Sequence, residues 1–274
     1  AQDFMADALA RRGYEVDDWT IRLADLEPLP GFGPIEGDFS RARSVVGTRR
    51  PAGPVRGKSL ILQGHCDVVP EGPRQMWTDP PYAATVRDGW MYGRGAGDMK
   101  SGTMAALFAL DAIRAAGFEP AARVHLQSVI EEESTGLGAL STLQRGYRAD
   151  LCVIPEPSDL SVNRAQVGVL WFKLRVAGRP THVATAGEGA NAIEAAVHLI
   201  AALRGMEAEW NARAAADPVY AGIPHPLNFN PGRIAGGDWA SSVAAWCEVE
   251  WRMGLVAGWS REACKARIGD TVAQ

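Results

Sequence analysis

The run Ser59-Leu60-Ile61-Leu62, ending in Gly64, constrains this chain most. A short, unbroken apolar segment of this kind belongs in a parallel sheet covered on both faces. Residues 123–130 and 151–154 read as two further strands. Helical patterns lie between them. Residues 101–116 place Met104, Leu107 and Phe108 on one face, with Gly117 as terminator, and residues 138–145 close at Gly146. Strand, helix, strand, helix, strand predicts an α/β domain with a mostly parallel sheet flanked by helices. Upstream, a helix over 2–12 stops at Gly13, and strands are expected near 14–21 and 44–47. Residues 27–37 form a Pro/Gly-rich connection, and residues 49–57 have loop chemistry.

The pattern changes after Arg164. Residues 167–176 read as a strand and 191–204 as a helix, with Ile193, Val197 and Ile200 on one face and Gly205 behind it. Strands follow at 227–234 and 243–253, and Ser260 caps a final helix. This β-α-β-β-α order is one strand short of a split βαβ, ferredoxin-like α+β sandwich. A length of 274 residues also fits two domains. The expected division is 1–164 and 165–274. The second domain reads as an insertion that the chain does not complete, and the opening helix begins at Ala1 itself. The expectation is therefore a chain truncated at both ends.

A net charge of -4, with no lysine/arginine run, argues against a nucleic-acid partner. No apolar stretch approaches the roughly 18 residues that span a bilayer, so no membrane segment is expected. Cys66, Cys152, Cys247 and Cys264 form no CxxC pair and are too sparse for a disulfide scaffold. They read as reduced thiols of a cytoplasmic protein.

Ligand sites in open α/β sheets lie beyond the carboxyl ends of the strands. After the first apolar strand comes Gly64-His65-Cys66-Asp67; after the second, Glu131-Glu132-Glu133; after the third, Pro155-Glu156-Pro157. The turn Gly93-Arg94-Gly95-Ala96-Gly97 delivers Asp98 at the start of a helix. One imidazole and several carboxylates thus converge on one sheet edge. Clustered carboxylates repel and resist ionisation, and a divalent cation removes that penalty. Histidine plus carboxylates suits zinc, with cobalt or manganese in related sites. In extended chain His65 and Asp67 point the same way and Cys66 the other. That suits His65 as a ligand whose second ring nitrogen is held by Asp67. Glu132 and Glu133, being adjacent, diverge. One can bind metal while the other takes a proton from water.

The stretches LILQGHCDVVP, YGRGAGDMKSG, VIEEESTGLGA and CVIPEPS resemble a family of zinc-dependent hydrolases. It comprises aminoacylases, acetylornithine deacetylases, succinyl-diaminopimelate desuccinylases and glutamate carboxypeptidases. The likeness runs from about Lys58 onward. It implies two zinc ions, one bound by His65 and Glu156, the other by Glu133, with Asp98 bridging. It implies that Asp67 orients His65 and that Glu132 is the general base. His182, in Pro180-Thr181-His182, resembles the histidine that polarises the scissile carbonyl, often across a dimer interface. The second domain would be a lid through which a homodimer forms. The implied substrate is an N-acyl amino acid or a short peptide, cleaved at an amide by water. A dipeptidase or carboxypeptidase of the same chemistry, and a non-catalytic relative acting through lid contacts, are the alternative readings. Departures from the family pattern fall in the lid: Ala244 replaces a proline, Ser241 falls near a substrate-binding asparagine, and Gly254 stands where many members have arginine. The family also has a further histidine ligand near its C-terminus, and no candidate follows His225.

Residues 52–59 (AGPVRGKS) fail as a phosphate-binding loop, because Ala52 replaces the first glycine and the GKS enters a strand. Gly93-x-Gly95-x-Gly97 lacks dinucleotide-binding spacing. No GxSxG elbow or HExxH helix occurs. His125, His198 and His225 read as structural, and Trp239, Trp246 and Trp251 as lid packing.

Overall fold

The computed structural model describes residues 1–33, 35, 38–163 and 166–273. The boundary expected between 164 and 165, and part of the connection at 27–37, lie outside the described residues. The chain divides into two compact units, Ala1–Val162 and Asn163–Gln274.

In the first unit, α1 (Gln2–Ala10) precedes β1 (Glu15–Thr20), the short α2 (Leu23–Leu26) and β2 (Arg43–Arg49). Then come β3 (Leu60–His65), a hairpin of β4 (Thr85–Arg87) and β5 (Trp90–Tyr92), and α3 (Gly102–Ala115). The unit closes with β6 (Val124–Val129), α4 (Leu137–Gln144) and β7 (Leu151–Val153). The five-stranded sheet has the order β1-β2-β6-β3-β7. It is mixed. β6, β3 and β7 run parallel, as the apolar runs predict, while β1 and β2 add antiparallel. All three strands that lead into the candidate site belong to the parallel part.

The core of this unit joins Met5, Leu9, Val45, Leu107, Leu110 and Leu126. The buried face of α3 is Thr103, Leu107 and Leu110, not the Met104–Leu107–Phe108 face expected from sequence. Phe108 is 59% exposed, and the Arg12 guanidinium lies over its ring. Thr103 can be buried because its hydroxyl donates to the carbonyl of Met99. The β4–β5 hairpin was not expected. Its turn is Asp88-Gly89, both at positive φ, a dipeptide suited to a two-residue hairpin loop.

The second unit runs β8 (Val169–Ala177), α5 (Ala192–Ala214), β9 (Phe229–Gly236), β10 (Trp246–Gly254) and α6 (Arg261–Val272). Its antiparallel sheet has the order β8-β10-β9. This is the α+β arrangement read from the sequence. Asn191 caps α5 and Ser260 caps α6. The helix α5 runs through Gly205, where it was expected to stop. Glycine costs a helix interior about 1 kcal/mol. Burial of Met206 and Trp210 beyond it returns about 1.5–3 kcal/mol each. The same stripe explains why Ala192, Ala196 and Leu203 face the core while Ile193 and Val197 are exposed. Trp251 packs in this core, stacked on Phe172. Trp239 and Trp246 are exposed instead.

Among the described residues no helix is long and apolar enough to cross a membrane. The four cysteines are free.

Candidate metal centre

His65 is the last residue of β3, paired in register with Val129 of β6, and its side chain is fully buried. Its Nδ1 lies 3.1 Å from the main-chain oxygen and 3.3 Å from Oδ1 of Asp67. Asp67 Oδ2 in turn accepts the Glu133 N–H at 3.2 Å. With a proton on Nδ1, the Nε2 lone pair faces acidic oxygens. Asp98 Oδ1 is 3.1 Å away, Glu156 Oε1 3.6 Å and Glu132 Oε2 3.7 Å. Oxygens at these distances demand positive charge at Nε2, from a proton or a metal.

The electrostatics agree. Burial works against a charged imidazole, but the Asp67 hydrogen bond and the charges of Asp67, Glu156 and Glu132 outweigh it. The His65 pKa rises to about 9. Burial pushes Glu156 up to about 7, with Glu132, Asp98 and Glu133 adding to the rise against His65. Burial also raises Glu133, helped by Asp98. For Asp67 burial is overcome by the His65 and Glu133 hydrogen bonds, and its pKa falls.

Two ligand groupings result. His65, Glu132 and Glu156 form one, and His65, Asp98 and Glu133 the other, with the donor atoms of each within 4.8 Å of one another. The buried Oε1 of Glu156 has no hydrogen-bond partner. An imidazole nitrogen, converging carboxylates and an orphaned buried oxygen fit a divalent cation of the zinc type.

Glu132 and Glu133 do not diverge as adjacent residues of an extended strand would. They sit in a turn that follows Glu131, itself at positive φ, and both reach the site. Glu131 is occupied elsewhere, accepting from Ser134 and Thr135 hydroxyls. Cys66 enters neither grouping, and burial raises its thiol pKa.

His182 lies in the second unit, exposed, where its Nδ1 accepts the Ala184 N–H at 3.2 Å. His125 is buried on β6, with Nδ1 2.8 Å from the Thr48 hydroxyl. His198 bonds the Glu194 carbonyl oxygen of its own helix. His225 faces the buried Glu207 at 3.1 Å. A cleft of about 420 Å³ opens beside Thr48, Arg50, Arg123, His125, Arg145 and Tyr147 and shares no residue with the carboxylate cluster.

A sheet whose parallel strands end in one imidazole and several converging carboxylates provides a candidate metal site. The chain belongs to peptidase family M20/M25/M40, whose profile matches residues 61–255. It is 30% identical over 259 residues to the N-formyl-4-amino-5-aminomethyl-2-methylpyrimidine deformylase of Bacillus subtilis, covering 90% of this chain and 56% of that protein. It is 31% identical over 223 residues to the succinyl-diaminopimelate desuccinylase of Variovorax paradoxus, covering 77% and 54%. The chain thus spans little more than half the length of these relatives. The dipeptidase Dug1p of Saccharomyces cerevisiae shares the fold, with a TM-score of 0.70 at 16% identity over 99% of this chain and 67% of that one.

Proposed function

We propose that the protein hydrolyses the amide bond of an N-acyl amino acid, using cations held by His65, Asp98, Glu133 and Glu156. The observation that carries this reading is the His65 Nε2 atom facing three carboxylates while Asp67 holds Nδ1. In this reading the cations would be a pair of zinc ions, held by His65, Asp98, Glu133 and Glu156. When bound, such ions polarise the scissile carbonyl and make water acidic enough to be deprotonated near neutrality. Glu132 accepts the proton of the attacking water and returns it to the leaving amine. Asp67 fixes the His65 tautomer. The resemblance assigns His182 to the scissile carbonyl, and its Nδ1, accepting from Ala184, leaves Nε2 as the nitrogen able to donate.

The names of the deformylase and desuccinylase support an acyl rather than a peptide substrate. In the same reading the second unit mediates a homodimer and the enzyme is cytoplasmic. The resemblance and the free thiols support those two points. The test is a panel of N-formyl, N-acetyl and N-succinyl amino acids beside dipeptides, before and after exhaustive chelation. Acyl-amide turnover that disappears on chelation and returns with Zn²⁺ is expected. Full activity after chelation, or turnover of dipeptides alone, contradicts the proposal.

A further inference from the structure

The segments that carry the candidate ligands are seated by contacts that leave no room for a side chain. Gly102 opens α3, and a Cβ there would stand 2.0 Å from the carbonyl oxygen of Pro155, the residue before Glu156. Gly138 lies in the first turn of α4. A Cβ there would stand 2.0 Å from the carbonyl oxygen of Ile130 and 2.6 Å from its nitrogen, just ahead of Glu131-Glu132-Glu133. Cβ atoms essentially never approach within 3.0 Å, so a methyl group requires a displacement of about 1 Å. The obstacle at both positions is main chain, and no rotamer change relieves it. Met99 tightens the first contact. It is fully buried, and its Cε lies 3.2 Å and 3.3 Å from the Cβ positions of Gly64 and Gly102. The end of β3, the Asp98 turn, the start of α3 and the Pro155 segment are therefore interlocked.

We propose that Gly102 and Gly138 are positioning residues for the cation site. Gly102 lets α3 seat against the backbone that presents Glu156, and Gly138 lets α4 seat against the backbone that presents Glu132 and Glu133. The inference rests on reading Glu133 and Glu156, with His65 and Asp98, as the cation ligands, and Glu132 as the base beside them. Metal–ligand distances tolerate only about 0.2 Å, so a shift of about 1 Å withdraws a ligand.

The test measures Zn²⁺ affinity, by competition with a chromophoric chelator, and the melting temperature of the metal-free protein. The variants are Gly102→Ala, Gly138→Ala and Gly205→Ala. The last is a control in α5, where a Cβ meets nothing within 4 Å. Gly102→Ala and Gly138→Ala are expected to lose about tenfold or more in Zn²⁺ affinity. Their metal-free melting temperatures should stay within about 10 °C of wild type, and Gly205→Ala should bind as wild type does. Adding Glu156→Gln to Gly102→Ala should deepen the loss no further than the larger single loss, because both act through one carboxylate. Folded variants that hold Zn²⁺ within about twofold of wild type would overturn the inference. So would fully additive losses, or loss of the metal-free fold, which would make these glycines determinants of the fold rather than of the site. A wild-type protein that binds no Zn²⁺ overturns the ligand reading, and this inference with it.

Discussion

Two histidines on neighbouring parallel strands have opposite fates. His65 ends β3, and His125 lies four residues back along the partner strand β6, opposite Ile61. Both are buried. Around His65 the strands give way to turns rich in carboxylates, and its pKa is driven up to about 9. Around His125 burial acts first and Arg123 and Arg50 add to it, so its pKa is driven down to about 4. One ring is made to attract a cation, and the other is kept neutral against Thr48. The difference lies in the end of the strand each occupies and in the charges gathered there. A buried imidazole is favoured in its charged form where the surrounding charge is negative and in its neutral form where it is positive.

The largest effect belongs to the acidic end. Glu132→Ala is expected to lower turnover of the acyl-amide substrate by about 10³-fold or more while the protein keeps its zinc, measured by steady-state kinetics beside metal analysis. Turnover retained in that variant would remove Glu132 as the base.

The opposite end should show itself in acid stability. Unfolded His125 takes a proton at its ordinary value of 6.5, whereas folded His125 takes one only near 4. Below pH 6.5 the unfolded state therefore binds more protons, and stability falls as pH drops toward 4. The shift corresponds to about 3 kcal/mol. Urea unfolding from pH 7 to pH 4 should show less loss of stability on acidification in His125→Gln than in wild type, by up to that amount, with the raised Glu156 and Glu133 acting in the opposite sense in both proteins. An equal loss in the two would mean that His125 is not held neutral.

The smallest effect sharpens the contrast at His65 itself. Asp67→Ala should weaken Zn²⁺ binding by about 10–100-fold, because the imidazole loses the partner that fixes its tautomer. Calorimetric titration of the variant checks this, and wild-type affinity would leave Asp67 without that role.

Much of this contrast was legible in the sequence. Apolar run, glycine and His-x-Asp placed His65 at a strand end, and the position of His125 inside the expected strand 123–130, with no carboxylate run beside it, marked it as structural. The parallel strands and the β-α-β-β-α order of the second unit followed from apolar runs, helical periodicity, glycine stops and the Ser260 cap. Features set by long-range packing were not legible. Thr103 lies on the buried face, its hydroxyl donating to the Met99 carbonyl just ahead of α3, and Phe108 turns outward. The helix α5 passes Gly205 because Trp210 and Met206 find a core built from β9, β10 and α6. Glu132 and Glu133 reach one site because a turn at Glu131 breaks strand alternation, and a run of three glutamates does not reveal where that turn falls.

The most direct test follows the ring nitrogens of His65 and His125 by ¹⁵N NMR while Zn²⁺ is added at neutral pH. Zinc should shift His65 Nε2, leave Nδ1 protonated, and leave the His125 resonances where they were. Zinc binding that leaves His65 Nε2 unmoved would contradict the account.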